Sequence, residues 1–303
     1  DVAFVHNCVY IQAPEVLKHL KTPSVYYCHE PLRRAYEPRD KAPFGKELRP
    51  NFFRKPIRAF REMKYERLIR RLDYENVRSA SLVLTNSYYT REYVYHVYGI
   101  FGYVNYLGVD AELFKPLEME KENLVLSVGA LLYRKGHDFV IESVASLPKK
   151  CRPSVGIVAD RGKLEVKEYL IQLAKDKGVK LVFYEKITDL ELVVLYNRAK
   201  VTACAQVMEP FGFVPLESMA CETPVVGVKE AGLRESIIHG VTGILTPRDP
   251  VEFGNALQHL LFDEERCRAM GHRGRMEVIA NWTWERSVKC LEKYLRWAAD
   301  LSR

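Results

Sequence analysis

Two carboxylates stand eight positions apart in the segment Glu209-Pro210-Phe211-Gly212-Phe213-Val214-Pro215-Leu216-Glu217, around an aromatic-glycine-aromatic turn. The preceding run, Val201 to Ala205, is short and rich in β-prone residues, which predicts a strand. From Phe213 to Cys221 the apolar residues recur at helical spacing. Glu209 is therefore expected on a strand-to-helix turn, with Glu217 about one turn into the helix.

The expected turn has the chemistry of an anion site. Free N–H groups at Phe211 to Phe213 and the helix dipole favour negative charge, and Gly212 permits close approach of a ligand to the backbone. A diphosphate fits this pattern, and the two carboxylates then need other partners, such as the hydroxyls of a sugar and a ribose. The alternative is that Glu209 caps the helix and Glu217 is solvated; the segment alone favours neither.

A second loop brings positive charge after a strand. Leu124 to Gly129 is an uninterrupted apolar run that predicts a strand, and Arg134 and Lys135 follow it before a helix predicted from about Asp138. A lysine there can reach two phosphates as a point charge. An exposed Lys-Arg pair without function is the alternative, and it would be preferred if the Glu209 to Glu217 segment were absent.

Together these segments resemble the E-x7-E signature and lysine loop of the retaining glycosyltransferases of family 4. The resemblance runs from about Ser24 to the C-terminus and includes Leu107 to Pro116, which is similar to the family's connection between domains. It implies an α/β GT-B fold of two facing Rossmann-like domains with parallel sheets. The implied divisions are an N-terminal acceptor-side domain over 1–110 joined by a C-terminal helix over 284–303, a linker over 111–122 and a nucleotide-sugar-binding domain over 123–283.

The resemblance also assigns roles to individual residues. Glu209 grips the sugar hydroxyls near the reacting carbon, Glu217 binds the ribose and Lys135 binds the diphosphate. Many relatives carry Arg where Ala130 stands, so Arg134 is expected to substitute or the diphosphate to be held less tightly. The other residues predicted to bind the donor are Gly129, Phe211, Gly212, Phe213 and, in the loop that seats the base, Ile187.

His29 follows a predicted strand, Ser24 to Cys28, in the first domain. Ligands of open α/β sheets bind beyond the carboxyl ends of the strands, so this position suits function. The resemblance implies a catalytic contact between His29 and the donor sugar. The alternative, almost as frequent for a lone histidine, is a half-buried ring bonded to a backbone carbonyl.

The basic charge of the chain is concentrated between Arg33 and Arg78. This segment has fifteen Lys or Arg and seven Asp or Glu, a net charge of +8, against +7 for the whole chain. A helix there could lie on an anionic membrane surface, or it could be solvated and pack one apolar stripe, which is the commoner outcome. No nucleic-acid-binding motif accompanies the charge. The predicted stripe comprises Ile57, Phe60, Met63, Leu68 and Leu72.

The bulk composition is that of a globular chain with two domains. Of its 303 residues 48% are hydrophobic and 28% charged. The seven cysteines are scattered and lack a C-x-x-C pair, which indicates reduced core residues. No apolar run approaches the roughly 20 residues that span a bilayer. Without an initiator Met, an N-terminal segment is expected to be missing, and the family's acceptor-facing glycine-rich loop is not found.

The absence of any D-x-D motif favours a mechanism without metal, so no cofactor is expected beyond the nucleoside-diphosphate sugar that serves as substrate. The sequence thus predicts a retaining hexosyltransferase that acts on a saccharide or lipid-linked acceptor, in the cytoplasm or at the inner membrane face. Two other classes stay open, a catalytically silent sugar-nucleotide-binding module and a membrane-docked scaffold. The last helix is predicted to bury Trp284, Val288, Leu291, Leu295 and Ala298.

Overall fold

A computed structural model describes residues 1–8, 11–37 and 56–301. The chain forms two compact units, unit 1 over Asp1–Leu107 and Glu285–Arg303, and unit 2 over Gly108–Trp284. Each described unit is built on a parallel sheet with helices in the crossovers. The predicted α/β class is confirmed.

The described sheet of unit 1 has the strand order β1-β2-β3-β4, and all neighbours are parallel. Its strands are β1 (Ala3–Val5), β2 (Ser24–Cys28), β3 (Leu82–Thr85) and β4 (Tyr103–Val104). Its helices before the connection to unit 2 are α1 (Arg33–Tyr36), α2 (Pro56–Arg78) and α3 (Tyr88–Tyr98). Ser87 caps α3, because its side chain accepts a hydrogen bond from the Thr90 N–H.

Side chains of β2 alternate between two cores. Val25 and Tyr27 pack on one face of the sheet, and Tyr26 and Cys28 on the other. Period-two alternation places successive side chains on opposite faces, and here both faces are covered. This burial on both sides explains why the strand reads as a continuous apolar run.

The sheet of unit 2 has six parallel strands in the order β10-β9-β8-β5-β6-β7. The strands are β5 (Glu122–Val128), β6 (Ser154–Ala159), β7 (Leu181–Glu185), β8 (Ala199–Cys204), β9 (Val225–Val228) and β10 (Gly243–Thr246). The helices are α4 (His137–Ala145), α5 (Leu164–Lys177), α6 (Asp189–Arg198), α7 (Phe213–Ala220), α8 (Leu233–Ser236), α9 (Pro250–Phe262) and α10 (Glu264–Asn281).

The strand order of unit 2 reverses direction at β5. The chain adds β6 and β7 on one side of β5 and then returns to place β8, β9 and β10 on the other side. Such a reversal opens a crevice at the carboxyl ends of the two strands where the order switches, which is where open α/β sheets bind ligands. The loops that follow β5 and β8 therefore border the expected binding crevice.

The last helix, α11 (Trp284–Asp300), packs against the sheet of unit 1 through Leu291, Leu295 and Ala298. The prediction that Trp284 and Val288 share the buried face is wrong, since both side chains are exposed. The face of α11 that packs against the sheet therefore contains Leu291, Leu295 and Ala298 but not Trp284 or Val288.

The exposed face of α2 also differs from the prediction. Phe60, Met63 and Leu68, which were expected to pack, are 54%, 51% and 53% exposed. Residues 38–55 of the basic segment and the side chain of Ile57 lie outside the described residues. On the described part of α2, apolar and basic side chains thus share the solvent-facing surface.

Polar groups occupy much of the buried face of α2. Asp73 accepts hydrogen bonds from the Tyr98 hydroxyl at 2.6 Å and the Ala13 N–H at 3.2 Å. The Asn76 amide donates to the Ala13 carbonyl at 2.8 Å. Burial raises the pKa of Asp73, and its hydrogen bonds oppose that shift. These bonds fix the rotation of α2, which a hydrophobic pattern could not reveal.

Candidate active site

Lys135 and Glu209 form an ion pair in unit 2. Lys135 follows β5 and Glu209 follows β8, so both lie beyond the carboxyl ends of the strands where the sheet order switches. The Lys135 Nζ donates to the Glu209 Oε2 at 2.8 Å, and the two side chains are 24% and 20% exposed. The structure therefore brings together the two charged groups that the sequence placed in one site.

The two loops that carry this pair are tied to each other. The Val207 N–H donates to the Arg134 carbonyl at 2.8 Å. At Gly136, where φ is +70°, a Cβ atom would lie 2.2 Å from the Ala205 carbonyl oxygen. Only glycine permits both this backbone conformation and this contact. The positions of Lys135 and Glu209 thus depend on one shared backbone arrangement.

His137 and Gly129 shape the lysine loop. The buried His137 ring lies between the Ser127 hydroxyl, 2.8 Å from Nδ1, and the Gly129 carbonyl, 3.1 Å from Nε2. Burial lowers the pKa of His137 to about 4, so the ring is neutral near pH 7. The stem of Lys135 passes within 3.2 Å of where a Gly129 Cβ would stand. Sequence reasoning missed His137, which no motif distinguished.

Arg248 holds the loop before Glu209 and was also missed. Its guanidinium binds Glu230 at 2.9 and 2.6 Å and donates to the carbonyls of Ala205 at 2.9 Å and Gln206 at 3.2 Å. Planar guanidinium groups suit such multiple contacts. A single arginine more than forty positions from the loop it supports gives no local sequence pattern.

The turn into α7 has the strand-to-helix form that was predicted. Gly212 is the N-cap residue with φ +86°, and Phe213 begins the helix. Phe211 is buried, with its ring centroid 5.8 Å from that of Trp282. The Glu209 carbonyl accepts from the Gly232 N–H at 2.9 Å. These contacts fix the backbone on both sides of the carboxylate, and α7 starts where the anion-binding N–H groups were expected.

Glu217 lies on α7 and has a partner that the sequence did not reveal. The Tyr196 hydroxyl donates to Glu217 Oε2 at 2.8 Å. Burial raises the pKa of Glu217, and the hydrogen bond from Tyr196 opposes that shift. The alternative in which Glu217 is simply solvated therefore does not hold. The structure joins Glu217 to Tyr196 rather than to the Lys135–Glu209 pair.

Two further predicted site residues, Ile187 and His29, lie in loops after other strands. Ile187 is half-buried in the loop between β7 and α6, at the same carboxyl edge of the unit 2 sheet. His29 lies in unit 1, directly after β2, with its ring centroid 4.6 Å from Tyr27 and 5.7 Å from His6. Burial first, and then His6, lower the pKa of His29 to about 4. The roles assigned to both residues stay predictions.

The described residues contain neither a cluster of potential metal ligands nor a helix that could span a membrane. No group of three or more His, Cys, Asp or Glu side chains within the described ranges could hold a metal ion. Among the described helices, none has the length and apolar character to cross a membrane.

Comparison with known proteins gives consistent matches. The family model described as "Glycosyl transferases group 1" matches residues 109–277. The chain is 31% identical over 173 residues to an uncharacterised glycosyltransferase of Methanocaldococcus jannaschii, covering 56% of this chain and 44% of that protein. It is 28% identical over 233 residues to the GDP-mannose-dependent alpha-(1-6)-phosphatidylinositol monomannoside mannosyltransferase of Mycobacterium tuberculosis, covering 69% and 60%. The chain spans about half the length of the curated relatives it matches.

Solved structures show the same architecture. Sucrose-phosphate synthase from Thermosynechococcus elongatus superposes with a TM-score of 0.76 at 22% identity, covering 94% of this chain and 70% of that one. The Anabaena protein HepE in complex with UDP-glucose superposes with a TM-score of 0.69 at 21% identity, covering 89% and 72%.

Proposed function

The chain belongs to the glycosyl transferases group 1 family and has the GT-B fold predicted for it, and on this premise we propose that it is a retaining, metal-independent hexosyltransferase. The donor is a nucleoside-diphosphate hexose, and the acceptor is a saccharide or a lipid-linked group. The observation that carries the proposal is the Lys135–Glu209 ion pair in the crevice where the sheet order switches.

The ion pair places a cation that can bind a diphosphate beside a carboxylate that can bind sugar hydroxyls. In the structure, Glu209 supplies the negative charge that faces Lys135. A bound diphosphate replaces it as the partner of Lys135, and the Glu209 carboxylate becomes available to accept hydrogen bonds from sugar hydroxyls. In the transfer step the bond from the anomeric carbon to the diphosphate oxygen breaks, the acceptor oxygen bonds to that carbon, and the diphosphate takes up the proton of the acceptor hydroxyl. Negative charge grows on the departing diphosphate, and Lys135 with the N–H groups of Phe211 to Phe213 stabilises it.

Other predicted residues complete the proposed site. Glu217 binds the ribose, Arg134 adds positive charge beside Lys135, and the loop at Ile187 seats the base through its backbone. The contact with the hexose that the resemblance implies for His29 is kept as part of the proposal. Burial lowers the pKa of this ring to about 4, so the ring is neutral near pH 7. A neutral ring can both donate and accept hydrogen bonds, which suits sugar hydroxyls.

The names of similar proteins guide the choice of substrates. One relative is named as GDP-mannose-dependent with a phosphatidylinositol monomannoside acceptor, and HepE was solved with UDP-glucose. These names support a nucleotide sugar as donor and a lipid-linked group as one class of acceptor. Both UDP-linked and GDP-linked hexoses therefore belong in the first screen.

A screen of sugar nucleotides tests the proposal. Thermal unfolding of the full chain is followed with UDP-glucose, GDP-mannose, UDP and GDP, and turnover of labelled donors is then measured with and without EDTA. We expect protection by one donor, turnover that EDTA does not abolish, and an α-configured product from an α-configured donor. Protection by none of these compounds would remove the proposed site, and loss of turnover with EDTA would contradict the metal-independent mechanism.

A catalytically silent nucleotide-binding module is the second candidate, because the family resemblance implies an arginine at the position where Ala130 stands. Binding without hydrolysis or transfer, when the protein is assayed with saccharide and lipid acceptors, would favour that function. Turnover by the protein excludes it.

We further propose a cytoplasmic location with contact to an anionic membrane surface. The exposed apolar side chains Phe60 and Leu68 lie on the same helix as the exposed basic residues Arg61 and Arg67. Co-sedimentation with anionic vesicles should fall in Phe60→Ser/Leu68→Ser and at high salt. Tyr95→Ser, at an exposed position of α3, is the matched control. The proposed membrane contact is refuted if this control loses vesicle binding to the same extent, or if the unaltered protein does not bind vesicles at low salt.

A further inference from the structure

Glu217 and Tyr196 form a partly buried carboxylate–phenol pair. Tyr196 on α6 is fully buried, and its hydroxyl donates to Glu217 Oε2 on α7 at 2.8 Å. Within the described residues, no hydrogen bond reaches the second oxygen, Oε1. The pair therefore leaves one carboxylate oxygen of Glu217 as a ready acceptor.

Tyr196 is held from several directions. Its ring meets Phe114 edge-on with centroids 6.1 Å apart, and its carbonyl accepts from the Thr223 hydroxyl at 2.7 Å. The start of α6 is fixed by a capping box between Thr188 and Glu191. A phenol held in this way cannot follow Glu217 if that side chain changes rotamer, so the hydrogen bond selects one orientation of the carboxylate.

The position of α6 relates this pair to the nucleotide. The helix begins at Asp189, directly after the loop that contains Ile187, and Tyr196 lies two turns further along. The loop proposed to seat the base and the phenol that holds Glu217 thus belong to one continuous element. A base bound at the loop would place its ribose at a defined distance from the carboxylate.

We propose that Tyr196 is a positioning residue that fixes the Glu217 carboxylate for hydrogen bonds from the ribose hydroxyls of the donor nucleotide. This inference rests on the proposed function. Tyr196 does not touch the ligand; it occupies one oxygen of Glu217 and directs the other. Its contribution is therefore expected only with ligands that carry the ribose hydroxyls.

Calorimetry on the full chain tests this inference with UDP, GDP and their 2′,3′-dideoxy counterparts. The unaltered chain should bind the ribonucleotide at least about tenfold more tightly than the dideoxy form, the effect of hydrogen bonds to a charged group. Tyr196→Phe should reduce this preference to about twofold, the remainder left by an unconstrained carboxylate. Because the preference is a ratio measured on one preparation, a partly unfolded variant does not distort it.

Two variants complete the design. Glu217→Gln should lose the same preference, and adding Tyr196→Phe to it should change nothing further, because the two residues act as one unit. Tyr26→Phe is the matched control, since it deletes another buried hydroxyl, which donates to Asn7 Oδ1 at 2.8 Å in unit 1.

The outcomes separate this inference from the proposed function. If Tyr196→Phe keeps the full preference while Glu217→Gln loses it, the positioning role is refuted and the nucleotide site stands. The positioning role is also refuted if the unaltered chain binds the ribonucleotide and the dideoxy nucleotide equally, since Glu217 then makes no hydrogen bond with the ribose hydroxyls. If neither UDP nor GDP binds the unaltered chain, the proposed function fails as well.

Discussion

Lys135→Ala and Glu209→Gln should change the affinity for a free nucleoside diphosphate in opposite directions. The two side chains form an ion pair with 2.8 Å between the Lys135 Nζ and the Glu209 Oε2. At the proposed site, removing the lysine would delete a charge-assisted contact with the diphosphate, whereas removing the charge of Glu209 would free the lysine for that contact. If Lys135 binds the diphosphate and Glu209 binds the sugar in one site, the two substitutions should change the affinity for a nucleoside diphosphate in opposite directions.

The structure sets the size of each effect. Loss of a hydrogen bond to a charged group costs about 1.5–3 kcal/mol, so Lys135→Ala should weaken UDP or GDP binding by about 10- to 150-fold. The ion pair that must open is about one-fifth exposed, and the net contribution of an ion pair that solvent reaches is on the order of 1 kcal/mol. Glu209→Gln should therefore tighten binding of the sugar-free nucleotide by up to about fivefold.

Calorimetry with the nucleoside diphosphate and with the corresponding nucleotide sugar measures the change in affinity caused by each substitution. With the nucleotide sugar, Glu209→Gln should lose affinity, because the amide accepts hydrogen bonds from the hydroxyls less strongly than a carboxylate. Lys180→Ala is the matched control, since this exposed lysine precedes β7 at the opposite edge of the sheet. The reasoning is refuted if Glu209→Gln weakens diphosphate binding as much as Lys135→Ala, or if the control does so.

Three further outcomes follow from the structure and can be measured by urea denaturation. Gly136→Ala should lower the free energy of unfolding by several kcal/mol, since its Cβ would stand 2.2 Å from a backbone oxygen, whereas Gly240→Ala, with φ +77° and no atom within 4 Å, should lose only about 1 kcal/mol. Burial lowers the pKa of His137 to about 4 from 6.5, so between those pH values the unfolded chain binds the proton and the folded chain does not. Stability should be complete above pH 6.5 and fall on the order of 3 kcal/mol by pH 4, and His137→Gln should flatten that dependence; an unchanged profile contradicts the assignment. Thr188→Ala should cost about 1 kcal/mol through loss of the capping box at α6, and a change of less than a few tenths would show that the cap contributes little.

Local patterns were sufficient to predict the strands and much of the site. β2 was predicted with the bounds that the structure gives, because a strand buried on both faces reads as a continuous apolar run. Lys135 and Glu209 each follow such a strand, and parallel strands end at the same edge, so placing both at one edge was within reach of the sequence. That β5 and β8 are neighbours is a property of the strand order, and only the resemblance to a known family implied that the loops meet.

The misses arose where distant residues decide the outcome. The buried face of α2 was mispredicted because Asp73 is bound to Tyr98 and to the Ala13 backbone, which are 25 and 60 positions away. Tyr196 was missed for a similar reason, since its partner is 21 positions further along on another helix. Hydrophobic periodicity reports which side chains avoid water, and it carries no information about specific polar partners.

The hydrogen bond between Val207 and Arg134, with the close backbone approach at Gly136, has a consequence for protein engineering. Neither the loop after β5 nor the loop after β8 can be grafted independently. Each loop would lose its backbone contacts with the other, the Val207–Arg134 hydrogen bond and the close approach of Gly136 to Ala205. Chimaeras between homologues should therefore transplant residues 129–137 and 205–212 as one cassette, and libraries that randomise only one segment should yield mostly unstable products.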